Sequence, residues 1–389
     1  MKVLIVHPHM SFYGGAETVV INLAKELKKL DVESSVATLS ISEEVASLCE
    51  GLDIITPERR YPLVLRNRSF AAGIKRLINE VNGLRRLVNA FGKNYDVINI
   101  HNFPATWAAA FTGFKNIVWM CNEPPDMWNK EGSSILLKVI REVGYHIDRF
   151  IVRRTVQRLC VADELNGERM GGRYGMDFDI ISYGIEYDLF SEGDGRGIIE
   201  KYGLQDKFII TQVGTITPQK NQMESVKAVK ELKNEVPNII LLLVGPGNND
   251  YETNIRNYIR ENKLDNHVFF MGHLSKNEIA DIYCVSNVAL FPVKTQGGWL
   301  APFEAMCTLV PVVVSETMGA ASIIKKEGLG NVTCNYAGAI FNIYTNGDLY
   351  KKCAMKAKEW VKENLTWTNF AKRKLRIFED VIKNRGGNR

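Results

Sequence analysis

No part of this chain reaches the roughly 20 consecutive apolar residues that a spanning helix needs. The opening residues, MKVLIVHPH, place only four apolar residues in a row before a histidine. That is too short for the apolar core of a secretory signal. Cysteine is sparse and scattered: Cys49, Cys121, Cys160, Cys284, Cys307, Cys334 and Cys353 are odd in number and form no C-x-x-C pair. With no histidine cluster either, no metal site is expected. Reduced thiols in a cytosolic compartment are. There is no repeat shorter than a domain, and no low-complexity tail beyond the last few residues. Net charge is only +5, and no nucleic-acid motif accompanies it, so no nucleic-acid partner is expected.

The 389 residues, 46% hydrophobic and 24% charged, describe a globular chain long enough for two domains. Short β-branched runs alternate with amphipathic helical stretches throughout, which implies parallel sheets joined by right-handed crossovers. In the first half the strands are expected at Val3–Val6, Val32–Leu39, Asp96–Ile100, Asn116–Cys121, Leu159–Ala162 and Asp179–Ser182. In the second they are Lys207–Val213, Ile239–Val244, His267–Met271, Val288–Phe291 and Val310–Val314. Ser275 with Glu278 three residues on predicts a capping box at a helix start. A Gly-rich polar stretch, residues 192–197, marks the boundary.

Basic charge is concentrated. Residues 59–93 hold nine Lys or Arg and a single acid, Glu80. Apolar residues recur there at helical spacing (Ile74, Leu77, Ile78, Val81, Leu84, Leu87, Val88). Such a helix lies on an anionic membrane surface, or stands as a solvated helix with one core face. Both readings stay open at this point.

Two loops follow strands and carry glycine. After Val6, Gly14-Gly15-Ala16-Glu17 opens a helix with Val19, Val20, Leu23, Ala24 and Leu27 on one face. Strand, glycine turn and helix form the phosphate-cradling unit of α/β folds. The second loop, KTQGGWLAPFEAM over residues 294–306, follows the strand at Val288–Phe291. Gly297 and Gly298 let a ligand approach the backbone there, and the following helix start favours an anion. Glu304 sits one turn inside, flanked by Phe303, Ala305 and Met306. An unpartnered carboxylate in that company is costly; a ribose diol would partner it with two donors.

This second stretch resembles the donor signature of retaining GT-B glycosyltransferases of family four. Glu304, Ala305, Met306, Pro311, Val312 and Val313 match it. The Gly14-Gly15-Ala16-Glu17 loop and the hinge-like Tyr183–Phe190 are similar too. The resemblance implies a GT-B architecture, two Rossmann-like doubly wound parallel-sheet domains facing a cleft. Residues 1–190 would be the acceptor-side domain, 191–365 the nucleotide-sugar domain, and 366–389 a helix crossing back to the first.

It further implies a retaining transfer of sugar from a nucleotide-diphosphate-sugar donor to a glycan or lipid-linked acceptor. No metal or cofactor is implied. Asn122, Lys220 and Gln296 take the catalytic positions. Gly14, Gly15, Thr215, Lys220, His273, Lys294, Gly298, Trp299, Leu300, Ala301 and Glu304 take donor-binding ones. Lys220 and Thr215 stand where the family sets a lysine and an arginine on the diphosphate, and Lys294 is a candidate replacement for the missing charge. His273 would lie near the base. Four positions depart from the family: Asn122 for a histidine, Thr215 for the arginine, Gln296 for a glutamate, and Trp299 for a glycine. Trp299 presents either a stacking face or a bulk that blocks the sugar pocket. His101, at the end of a strand, reads as a structural histidine. A catalytically silent nucleotide- or glycan-binding relative is the alternative. An epimerase of the same architecture is disfavoured by the Glu304–Pro311 signature. The expected location is cytoplasmic, at the inner face of the membrane if residues 59–93 touch it.

Overall fold

The computed structural model describes residues 1–11, 13–59, 61–62, 70–110, 112–121, 135–247, 250–294 and 299–384. The chain divides into two units, Met1–Tyr183 with Trp367–Arg389, and Gly184–Thr366.

The first unit is built on seven parallel strands: β1 Lys2–Val6, β2 Glu33–Ala37, β3 Asp53–Ile55, β4 Val97–His101, β5 Ile117–Met120, β6 Arg158–Val161 and β7 Phe178–Ile180. Their order is β3-β2-β1-β4-β5-β6-β7. Val3 to Val6 are fully buried, as continuous apolar runs in a sheet covered on both faces must be. Helices α1 Gly15–Lys29 and α2 Glu43–Leu48 belong to the leftward steps of this order. Helices α3 Phe70–Phe91, α4 Ala105–Ala110, α5 Ile135–Thr155 and α6 Glu164–Tyr174 belong to the rightward ones. Right-handed crossovers therefore set α1 and α2 on one face and α3 to α6 on the other. Helix α4 packs against both α3 and α5.

The second unit opens with α7 Tyr187–Ser191 and α8 Arg196–Tyr202. Its six parallel strands are β8 Phe208–Val213, β9 Ile239–Val244, β10 Val268–Gly272, β11 Val288–Phe291, β12 Val312–Val314 and β13 Asn331–Val332. The order is β10-β9-β8-β11-β12-β13. Helices α9 Gln222–Leu232, α10 Asp250–Glu261, α11 Lys276–Val285, α12 Leu300–Met306, α13 Ala321–Glu327, α14 Tyr336–Thr345 and α15 Gly347–Asn364 complete it. Helix α14 was not expected from the sequence. The capping box at α11 is formed by Ser275 and Glu278. The last helix, α16 Trp367–Asn384, belongs to the first unit. It packs on α1, and Thr368 Oγ1 donates to Glu26 Oε2 at 2.6 Å.

The division falls at Tyr183/Gly184, ahead of the Gly-rich stretch. That stretch is packed rather than free. A Cβ on Gly193 would come within 2.8 Å of the Ala280 backbone, and one on Gly195 within 2.0 Å of Val285. These glycines permit close approach to α11, and the backbone N–H of Asp194 donates to Asp281 Oδ1 at 2.7 Å.

Candidate functional site

In each sheet the winding reverses between two neighbouring strands, β1 and β4 in the first, β8 and β11 in the second. The loops leaving the carboxyl ends of such a pair enclose the ligand crevice of open α/β sheets.

In the second unit these loops begin at Gly214 and Pro292, and they are cross-tied. Lys294 N–H donates to Gln219 O at 2.9 Å, and Asn221 Nδ2 donates to Pro292 O at 3.0 Å. Gln212 Nε2 holds Lys220 O at 2.7 Å, and Gln212 Oε1 accepts from Ser225 at 2.6 Å. Gly214 has a φ of 150°, and the Lys220 stem lies alongside, 3.6 Å from where its Cβ would be. Next door, Gly245 has a φ of 143°, and its Cβ would sit 2.3 Å from Gly214 O. Only glycine fits there. Lys220 is half-buried; Thr215 and Lys294 are exposed beside it. The described parts of these two loops thus carry Thr215, Lys220 and Lys294.

Helix α12 places Glu304 on an otherwise apolar element. Ala301, Pro302, Phe303, Ala305 and Met306 are buried, while Glu304 is half-buried and keeps some accessible surface. Desolvation raises its carboxyl pKa to about 7; Lys276 pulls it down and Glu186 pushes it up. Lys276, the first residue of α11, is ion-paired with Glu186, just before α7. Beneath lies Tyr283, whose phenol is held well above its usual range by burial and then by the Glu304 charge. The Glu186–Lys276 pair was not singled out from sequence. Its members are 90 residues apart, and only the α7–α11 packing joins them.

Other expected positions are placed less directly. His273 is exposed, after β10. Leu300 is half-buried and Ala301 buried at the start of α12. Trp299 is 6% exposed, with its ring 4.6 Å from that of Phe303. The open stacking face considered for a sugar is therefore not what this side chain offers; it packs against α12. Asn122, Gln296 and Gly298 lie outside the described residues.

In the first unit, Gly14 caps α1 without a side chain, and Gly15 is its first residue. Behind them His7 Nε2 is 3.8 Å from Glu17 Oε1. His101, at the end of β4, is fully buried and hydrogen-bonded to Asn99. Burial, then Lys374 and His7, hold its pKa well below the ordinary histidine value. It is a neutral structural imidazole. Lys374 on α16 is also fully buried, with its pKa lowered by desolvation.

Among the described residues no group of three or more His, Cys, Asp or Glu could hold a metal ion. An open depression of about 700 Å³ includes Gln157, Arg158, Gly171, Met176, Phe178 and Asp179. It lies at the starting ends of β6 and β7, the edge opposite to the crevice, and is assigned no chemistry.

Comparison with known proteins matches this fold. The model described as "Glycosyltransferase Family 4" matches residues 13–165, and that described as "Glycosyl transferases group 1" matches residues 196–360. A UDP-Gal:alpha-D-GlcNAc-diphosphoundecaprenol alpha-1,3-galactosyltransferase from Escherichia coli is 25% identical over 300 residues, covering 74% of this chain and 73% of that protein. The fold is that of Anabaena HepE, solved with UDP and glucose: TM-score 0.77, 17% identity, 98% and 100% of the two chains. It is equally that of a sucrose-phosphate synthase from Thermosynechococcus elongatus: TM-score 0.77, 18% identity, 98% and 99%.

Proposed function

The chain belongs to the group 1 glycosyltransferases of GT-B fold, and from that premise we propose that it moves a sugar, with retention, from a nucleotide-diphosphate-sugar to a glycan or lipid-linked acceptor. The observation that carries the site assignment is Glu304, a partly accessible carboxyl on an apolar helix with its pKa raised to about 7. A ribose diol repays that desolvation with two hydrogen bonds to the ionised form. Lys220 and Lys294, on cross-tied loops beside the bare Gly214 backbone, supply positive charge for the diphosphate. Preorganised charge there stabilises the leaving group as the glycosidic bond breaks. Positioning supplies the rest, by holding the acceptor hydroxyl against the anomeric carbon. The E. coli relative is named for a diphosphoundecaprenol-linked acceptor, which supports a lipid-linked acceptor here.

The test is release of nucleoside diphosphate from radiolabelled nucleotide sugars, with donors first ranked by thermal shift against UDP, GDP, ADP and their sugars. Release that disappears with Glu304→Ala supports the proposal. Tight nucleotide binding with no release from any donor and acceptor pair assigns the silent reading instead, for which Thr215 in place of the family's arginine is the specific ground.

A further inference from the structure

Lys276 stands where a helix disfavours a cation. It is the first residue of α11, and the N–H groups of a helix start repel positive charge. The capping box fixes the backbone beside it, with Ser275 N–H donating to Glu278 Oε2 at 2.8 Å. A residue set against its local rule is a mark of function. Here two acids offset the conflict. The first is Glu186, ion-paired with Lys276; the lysine and glutamate side chains are 22 and 26% exposed. Glu186 directly precedes α7, yet its carboxyl does not cap that helix.

The second acid is Glu304. Helices α7, α11 and α12 pack on one another pairwise. Further along α11, Tyr283 Oη donates to Ala301 O of α12 at 3.3 Å, and the Tyr283 ring lies 6.4 Å from that of Phe190 on α7. One cluster therefore holds a single cation and two carboxyls. Lys276 favours the ionised form of Glu304, and Glu186 opposes it.

The other titratable groups on these elements are uncharged or engaged elsewhere. Burial holds Tyr283 and Cys307 protonated, and both feel the Glu304 charge. Along α11, Glu278 is bonded back to Ser275, and Asp281 accepts from the Asp194 N–H. From α15, which also packs on α12, Lys358 acts on Cys307, and Lys362 lies 5.6 Å over the Tyr187 ring. Asp188 on α7 and Glu359 on α15 act on Tyr187. Strands β11 and β12 bring only apolar side chains.

We propose that Lys276 is a positioning residue for the donor: held in place by Glu186, it keeps the Glu304 carboxyl in the ionised form that accepts from the ribose. This rests on the ribose reading of Glu304 given above. The two members of the ion pair then act in opposite directions. Lys276→Met removes the favourable charge, and Glu186→Gln removes the opposing one, although either change breaks the same pair. A role confined to holding α7 on α11 would move both variants the same way.

The test is NMR titration of the Glu304 carboxyl carbon in the ligand-free full chain, its resonance identified by its loss in Glu304→Gln. The midpoint rises by about one pH unit in Lys276→Met and in Lys276→Gln, and falls by about as much in Glu186→Gln. Lys276→Arg, which keeps the charge, stays near wild type. Isothermal titration with UDP-glucose, GDP-mannose and ADP-glucose follows the same order. Affinity for the sugar nucleotide that binds drops about five-fold at pH 7 in Lys276→Met and rises about five-fold at pH 6 in Glu186→Gln. Circular dichroism melting checks that each variant folds. Midpoints that stay put, or that move together, overturn the proposal whatever the donor does. Opposed midpoints with unchanged affinity, or with no binding of any of the three, overturn the ribose reading, and the role of Lys276 falls with it.

Discussion

Donor binding should depend on pH through Glu304. A carboxyl with a pKa of about 7 is roughly 90% ionised at pH 8 and roughly 10% at pH 6. Only the ionised form accepts from both ribose hydroxyls. Affinity for the nucleotide sugar should therefore fall about nine-fold between pH 8 and pH 6, a difference of about 1.3 kcal/mol. Isothermal titration with an intact nucleotide sugar is the assay, because a free nucleoside diphosphate has a phosphate titrating near pH 6 that would confuse the reading. Glu304→Gln should bind weakly at both pH values, with the slope gone. The unliganded protein gives an independent check of sign. A carboxyl raised in the folded state stabilises below its unfolded value of about 4.5 and loses that contribution as pH rises through about 7. Glu304→Gln should thus gain stability relative to wild type at pH 8 but not at pH 4.5. A wild-type affinity flat across this range, or a Gln variant that keeps the slope, would refute the reasoning.

On the proposed function Lys220→Met should weaken donor binding by one to two decades, about 1.5–3 kcal/mol, in the same titration. Lys294→Met should match it; unchanged affinity would remove Lys294 from the site. Gly245→Ala, whose new Cβ meets Gly214 O at 2.3 Å, should cost at least about 2 kcal/mol in urea unfolding. A loss under 0.5 kcal/mol, on the order of an ordinary surface change, would show that the loop shifts freely. His101 has a depressed folded pKa, so its contribution is present above about pH 6.5 and lost as pH falls. Between pH 7.5 and 5.5 wild type should lose about 1 kcal/mol more than His101→Gln; equal losses would contradict a buried neutral imidazole.

Much of this was written in the chain. The strand and helix alternation is strong because both sheets are parallel and doubly covered, which makes their strands short apolar runs. The desolvation of Glu304 was legible from its neighbours alone, since a carboxylate between Phe303, Ala305 and Met306 has to lose water. Its companions were not. Glu186 and Lys276 meet only through tertiary packing, and no local pattern announces a pair 90 residues apart. The glycines at 193 and 195 looked like a linker because composition cannot distinguish freedom from close approach. In α5 the inward anchor is an acid, Asp148, which accepts from Trp107, and a search for apolar periodicity does not mark such a position. Trp299 misled for a similar reason: its identity suggests a sugar platform, and its packing on Phe303 makes it part of the core.

The carboxylate of Glu304 on the ribose is the claim from which the rest follows. Its most direct test compares a nucleoside diphosphate with its 2′,3′-dideoxy form, on wild type and on Glu304→Ala. Loss of the diol should weaken binding at least about ten-fold in wild type and leave the alanine variant almost indifferent. An equal loss in both proteins would show that the diol is read by some other group.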